Sequence, residues 1–167
     1  SGFMKMNCIL VDDEPVARKL LEEYIEEIDF LQLVGKAENP VKAAALLNTT
    51  AVDLMFLDIN MPKISGIDFL KTSTALPLTI LTTAYTDYAI EGFELSVLDY
   101  LVKPFSFDRF FKACNKAKEF FELQNKNVGA AIDYFFVKCN GRIEKIFYNE
   151  VVYIEAMANY IILYTED

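Results

Sequence analysis

The 167 residues contain no histidine and no tryptophan. Imidazole general-base catalysis and histidine metal ligation are therefore both excluded within them. Cysteine is scarce and odd in number: Cys8, Cys114 and Cys139 stand at spacings that suit no metal site. Cys8 falls in an apolar run and Cys114 in a helical pattern, so reduced packing thiols of a cytoplasmic protein are expected rather than disulfides. No apolar run approaches the roughly 20 residues that span a bilayer, which excludes a membrane helix. The start also lacks the basic-then-apolar pattern of a secretory signal. Positive charge is short too, with 16 Lys and Arg against 25 Asp and Glu and a net charge of −9. Such a surface repels nucleic acid, because DNA affinity rests largely on cations that neutralise phosphates. Dividing the chain near Asn127 leaves 19 acids and 13 bases before it and six acids and three bases over 128–167. Neither part is basic.

Apolar material, in contrast, is plentiful: 53% of residues are hydrophobic and 14% aromatic, ample for a packed core. The first 127 residues alternate strand-like and helix-like segments. Met6–Val11 is a short apolar run stopped by acids, the pattern of a buried parallel strand. Pro15 then suits a first helical turn, where its missing N–H does no harm. Val16, Leu20, Leu21, Tyr24, Ile25 and Ile28 follow at helical spacing. Leu31–Ala37 reads as a second strand, with a short helix from Pro40 to Leu47. Leu54–Leu57 is the third strand and ends on Asp58; Gly66–Ser73 reads as a helix and Leu78–Thr82 as the fourth strand. A weaker helix is expected over Tyr88–Glu94, a fifth strand over Tyr100–Val102 and a long helix over Phe107–Asn125. Alternation of this kind implies a parallel α/β sheet covered on both faces.

The register changes after Asn127. Tyr134–Lys138, Arg142–Phe147, Val151–Glu155 and Tyr160–Thr165 read as strands, and Asn140-Gly141 is a hairpin signal because both residues tolerate positive φ. A piece of about 40 residues is too small for an independent core without staples, so a truncated second domain is expected.

In a parallel sheet the working site lies beyond the carboxyl ends of the strands. Those ends carry Asp12-Asp13, Asp58, Thr82-Thr83 and Lys103-Pro104. Three carboxylates gathered in one volume repel unless a cation sits among them, and an all-oxygen site with open positions suits Mg2+. An aspartate can also accept a phosphoryl group as an acyl phosphate. Lys103 stands where an ammonium would neutralise that group, and Thr83 where a hydroxyl would reach it. Each residue has a plainer role: Asp12-Asp13-Glu14 as helix-capping acids, Asp58 as a loop acid, Thr83 as strand packing, Lys103 as an exposed lysine. Four such residues at successive strand ends make the joint reading the better one.

Asp12-Asp13, Asp58-Ile-Asn-Met-Pro with Gly66, Thr83-Ala84 and Lys103-Pro104-Phe105 resemble, in this order and spacing, the signature of the receiver domain of two-component response regulators. The resemblance covers residues 6 to about 125. It implies a flavodoxin-like fold, with a five-stranded parallel sheet of order 2-1-3-4-5 and five helices. It also implies roles: Asp58 as phosphoacceptor, Asp13 and Asp12 as Mg2+ ligands (Asp12 partly through water) and Asn60 as donor of a backbone carbonyl to the metal. Thr83 would follow the phosphoryl group and Lys103 would pair with it. Pro104 would follow a cis bond, Gly66 would be structural, and Tyr100 would be the aromatic that reorients during signalling.

Thr83–Glu94 and Leu98–Phe105 further resemble receivers of the LytTR (LytR/AlgR-type) transcription regulators. Phe136–Gly141, Val152–Ala156 and Asn159-Tyr160 are similar to the opening of the LytTR DNA-binding domain. The implied organisation is a receiver over 4–126 and the first part of a LytTR domain over 127–167. The implied partners are a sensor histidine kinase, a second copy of the chain on phosphorylation and promoter DNA for a longer parent, but not DNA for these residues alone. A phosphatase working through an aspartyl phosphate is the competing enzyme reading. It needs a general acid two residues after Asp58, where Asn60 stands. A receiver that only shuttles phosphoryl groups is the third reading, against which the β-rich tail counts.

Overall fold

Met6–Val11 forms the first strand, β1, in the interior of a parallel sheet; its apolar side chains are buried on both faces. The computed structural model describes residues 5–73, 75–84, 97–125 and 133–166. Four further strands complete the sheet: β2 (Leu31–Ala37), β3 (Leu54–Asp58), β4 (Leu78–Thr83) and β5 (Asp99–Val102). Their order is β2-β1-β3-β4-β5, with every neighbouring pair parallel. The chain steps outward from β1 to β2, then returns past β1 to β3. The topological switch therefore lies between β1 and β3, and Asp12 and Asp58 stand at their carboxyl ends.

The helices α1 (Pro15–Glu26), α2 (Pro40–Thr49), α3 (Gly66–Thr72) and α4 (Phe107–Asn125) agree with the hydrophobic periodicities. The expected helix over Tyr88–Glu94 lies outside the described residues. Pro15 and Pro40 each open a helix; Asn39 and Ser65 cap α2 and α3 by accepting the amides of Lys42 and Asp68. Two apolar clusters sandwich the sheet. One joins Leu21 and Ile25 of α1 to Phe110, Cys114 and Ala117 of α4 through Cys8, Leu10 and Phe56. The other joins Ala43, Ile67 and Leu70 to Ile9, Val11, Met55 and Leu57. Cys8 and Cys114 are free and buried, and burial pushes the Cys8 thiol up to about 12, as expected of inert packing residues. Among the described residues no helix is long and apolar enough to cross a membrane.

The tail is all β. β6 (Tyr134–Cys139) and β7 (Arg142–Phe147) form an antiparallel hairpin across Asn140-Gly141, whose φ angles of 50° and 80° are those of a tight mirror-image turn. After one 3₁₀ turn, β8 (Val151–Ala156) pairs with β9 (Ile161–Thr165). The hairpin reaches the sheet: a parallel bridge joins Arg142 to Val97, and the Ile143 N–H donates to the Val97 carbonyl at 2.9 Å.

Candidate functional site at the switch point

β1 delivers Asp12 and Asp13 to the carboxyl edge, and β3 delivers Asp58 beside them. One carboxylate oxygen from each lies within 4.8 Å of the others. Asp12 and Asp58 are buried, with 0% and 3% of their surface exposed, so their charges cannot be left to water. Helix capping does not account for these acids: Glu14 is the residue that caps α1, and its side chain makes no capping bond. Asp12 Oδ1 instead accepts the Glu14 N–H at 2.9 Å, and the Arg18 guanidinium donates to the Asp12 carbonyl at 2.6 Å.

Lys103, just past β5, places Nζ 2.8 Å from Asp12 Oδ2 and 3.7 Å from Asp58 Oδ2. Its own N–H donates to the Thr83 carbonyl at 2.6 Å, tying the end of β5 to the end of β4. Burial alone would lower the Lys103 pKa, but the hydrogen bond to Asp12 and the charges of Asp12 and Asp58 overcome it and raise it. The bond from Lys103 to Pro104 is cis. Asp58 Oδ1 accepts the Asn60 N–H at 3.0 Å, which orients the carboxylate. Burial and the neighbouring charges of Asp12 and Asp13 raise Asp58 to about 6, against the opposing pull of the Asn60 amide and Lys103.

Three carboxylates and one ammonium leave the site two charges negative. Asp13 Oδ1 is buried with no hydrogen-bond partner among the described residues. An orphaned oxygen on one of three clustered carboxylates fits a small hard cation such as Mg2+, which prefers oxygen ligands. Thr83 is buried at the end of β4, and Thr82, opposite Asp58 in the ladder, has a buried hydroxyl without a partner. The sequence places Thr82 at this strand end beside Thr83 but gives it no role, since a threonine in a strand is ordinary. Gly66 is present for space: a Cβ there would lie 2.3 Å from the Asp58 carbonyl oxygen.

Tyr100 stands apart from the acids. It lies three residues before Lys103, half-buried, with the Arg142 guanidinium carbon 4.9 Å from its ring centroid. The preceding residue, Asp99, is a buried carboxylate gripped by both amino groups of Arg109 at 2.9 and 3.1 Å, with Lys116 at 3.6 Å and Arg142 at 3.5 Å. Burial opposes its ionisation, but Arg109, Lys116 and the Tyr100 N–H hold it below the usual carboxylate range. Arg142 and Lys145 lie on β7 and belong to none of the motifs in the sequence. In the structure both pair with residues that precede the change of register, Arg142 with Asp99 at 3.5 Å and Lys145 with Glu119 at 2.8 Å.

Residues 8–115 match the family described as the response regulator receiver domain. The sensory transduction protein LytR of Staphylococcus haemolyticus is 38% identical over 73% of this chain and 48% of its own length. An uncharacterized response regulatory protein of Vibrio cholerae is 32% identical over 93% of this chain and 68% of its own length. The crystal structure of the response regulatory domain of protein mrkE from Klebsiella pneumoniae, 30% identical, superposes with a TM-score of 0.64 over 71% of this chain and all of that one. The chain spans about half the length of the LytR proteins that it matches. With its strand order, its acidic cluster at the switch point and these relatives, the chain belongs to the response regulator receiver family, among the LytR-like two-component regulators.

Proposed function

We propose that Asp58 is the phosphoacceptor of a two-component switch and that a sensor histidine kinase is its donor. The observation that carries this reading is the convergence of Asp12, Asp13 and Asp58 within 4.8 Å, with Lys103 reaching two of them. Asp58 Oδ2 would attack the phosphoryl group while the Asn60 N–H holds the other oxygen. Asp13, Asp12 (partly through water), Asp58 and the Asn60 carbonyl would hold Mg2+, which when bound offsets charge on the phosphoryl oxygens. Lys103 would exchange its bond to Asp12 for one to the phosphoryl group, and the Thr83 hydroxyl would follow. The burial that raises Asp58 also leaves its ionised form poorly solvated, which favours nucleophilic attack. Phosphorylation from a small-molecule donor and slow hydrolysis by water would be the only chemistry of the chain itself.

The output is proposed from the relatives. Residues 4–126 would be the receiver and 127–167 the start of a LytTR-type domain, working in the cytoplasm. In a full-length parent, phosphorylation would promote homodimerisation and binding to promoter DNA; the tail present here, with six acids and three bases over 128–167, is net acidic and unsuited to that task. Tyr100 would turn as the site is occupied. The test is incubation with acetyl phosphate and Mg2+ and measurement of phosphoryl incorporation. One group per chain is expected, lost in Asp58→Ala and on chelation; incorporation that survives either change refutes the assignment.

A further inference from the structure

Thr82 completes a row of side chains that runs across the sheet into the acidic site. Leu10 of β1, Phe56 of β3, Ile80 of β4 and Leu101 of β5 all belong to the apolar cluster that packs α1 and α4 on one face of the sheet. Side chains two residues apart on a strand share a face, so Asp12, Asp58, Thr82 and Lys103 rise from that same face, one step nearer the carboxyl edge. The register sets Asp58 level with Thr82, and Thr82 level with Leu101. Thr82 is therefore the lateral neighbour of Asp58 on the side from which Lys103 comes. Strand packing leaves one feature of this residue unexplained. It is 1% exposed, and its hydroxyl is buried without a hydrogen-bond partner among the described residues. A valine would fill the same space with no polar atom to satisfy.

The strand order supplies the partner. From the end of β5, the Lys103 side chain has to cross β4 and β3 to place Nζ 2.8 Å from Asp12 Oδ2 at the end of β1. Of its three N–H groups the described residues accept one, at Asp12; Asp58 Oδ2, at 3.7 Å, is beyond hydrogen-bond reach. We propose that Thr82 is a positioning residue for Lys103. When a phosphoryl group on Asp58 draws the ammonium off Asp12, the Thr82 hydroxyl accepts one of its N–H groups and holds it over Asp58. The inference rests on the phosphorylation of Asp58 proposed above. A phosphoryl group adds close to two negative charges at the end of β3, one strand nearer to β5 than Asp12. The ammonium therefore retracts toward β4, by about the 4.8 Å that separates neighbouring strands. That motion brings it toward the hydroxyl that the resting protein leaves unpartnered. A hydroxyl oxygen can accept from the ammonium and, unlike Asp12, carries no charge. It steadies the lysine without competing with the phosphoryl group for it.

The experiment uses the whole 167-residue chain, with beryllium fluoride and Mg2+ as the phosphoryl mimic. Thr82→Val removes the hydroxyl and keeps the shape; Thr82→Ser keeps the hydroxyl and removes the methyl. Thr82→Val should melt at or above the unsubstituted chain, since it deletes an unpartnered buried hydroxyl, and should bind Mg2+ alone within about twofold of it. It should bind the mimic about tenfold more weakly, as for loss of one hydrogen bond to a charged group, while Thr82→Ser stays within about threefold. In a Lys103→Met background, Thr82→Val should change mimic affinity by less than about twofold, because the two residues act as a pair. Equal mimic affinity in Thr82→Val and the unsubstituted chain overturns the proposal. So does an equal loss in Thr82→Val and Thr82→Ser, which would assign the effect to packing. A Tm for Thr82→Val well below that of the unsubstituted chain would show the hydroxyl already bonded at rest, and also overturns it. Parallel losses of Mg2+ and mimic affinity, or the full tenfold loss without Lys103, overturn the role through Lys103. Failure of the unsubstituted chain to bind the mimic in a way that Asp58→Asn abolishes overturns the Asp58 reading itself, and this inference with it.

Discussion

Gly66 is the position where a single methyl group tests the packing of the site. A Cβ added there would stand 2.3 Å from the Asp58 carbonyl oxygen and 3.1 Å from both the Asp58 carbonyl carbon and Ile59 Cα. Carbon–oxygen contacts in proteins close to about 3.3 Å, so the backbone must open by about 1 Å. The atoms in the way are main chain, and the Gly66 N–H is itself bonded to the Ile59 carbonyl at 3.0 Å, so neither side yields cheaply. Overpacking of this kind costs about 1–3 kcal/mol, and the better helix propensity of alanine returns less than about 1 kcal/mol. Gly66→Ala should therefore lower Tm by up to roughly 12 °C at about 2–4 °C per kcal/mol for a chain of this size. It should also slow phosphoryl uptake, because the displaced backbone is that of Asp58. Gly35→Ala is the control: its Cβ would meet only the Leu46 side-chain methyls at 3.0 Å, which can turn aside, and it should cost at most about 1 kcal/mol. Thermal unfolding followed by circular dichroism decides between them. If Gly66→Ala melts at or above Gly35→Ala, the steric account of the β3–α3 junction is wrong.

Three further outcomes follow from the electrostatics. Asp58 has a folded pKa of about 6 against an ordinary 3.8, so folding favours its protonated form. Stability from this group is complete below the ordinary carboxylate pKa and is lost as pH rises through about 6; the metal-free protein should gain about 1 kcal/mol between pH 8 and pH 5. Asp58→Asn should flatten that profile and melt higher at pH 8, and parallel profiles for the two proteins would contradict the cause assigned. Lys103→Met leaves buried Asp12 without its ammonium partner and should destabilise by about 1–3 kcal/mol in denaturant titrations, with added Mg2+ recovering part of the loss. Asp99→Asn removes the charge that gathers Arg109, Lys116 and Arg142, and should cost about 2–4 kcal/mol; a loss under 0.5 kcal/mol, about the scatter of neutral surface changes, would show that the cluster is not structural.

Much of this was legible in the residues because its causes are local. Apolar runs stopped by acids mark β1 and β3, Pro15 and Pro40 mark helix starts, and Asn140-Gly141 marks its own hairpin. The meeting of Asp12, Asp13 and Asp58 was legible one step further on, because a parallel sheet puts all carboxyl ends on one edge. What could not be read depends on contacts distant in the chain. Lys103 sits closer to Asp12 than to Asp58, a balance of distances that spacing does not encode. Arg142 carries no signal in the sequence, since its partners Asp99 and Tyr100 lie more than 40 residues away and on the far side of the chain's change of register. The orphaned oxygens of Asp13 and Thr82 likewise emerge only from packing.

The central claim is that Asp58 itself takes the phosphoryl group. Its most direct measurement is mass spectrometry of the intact chain after acetyl phosphate and Mg2+, followed by borohydride trapping of the acyl phosphate and peptide mapping. The account predicts one added phosphoryl group, trapped at Asp58, with none in the presence of chelator. Trapping at Asp12 or Asp13, or labelling of a hydroxyl that borohydride does not reduce, would contradict it.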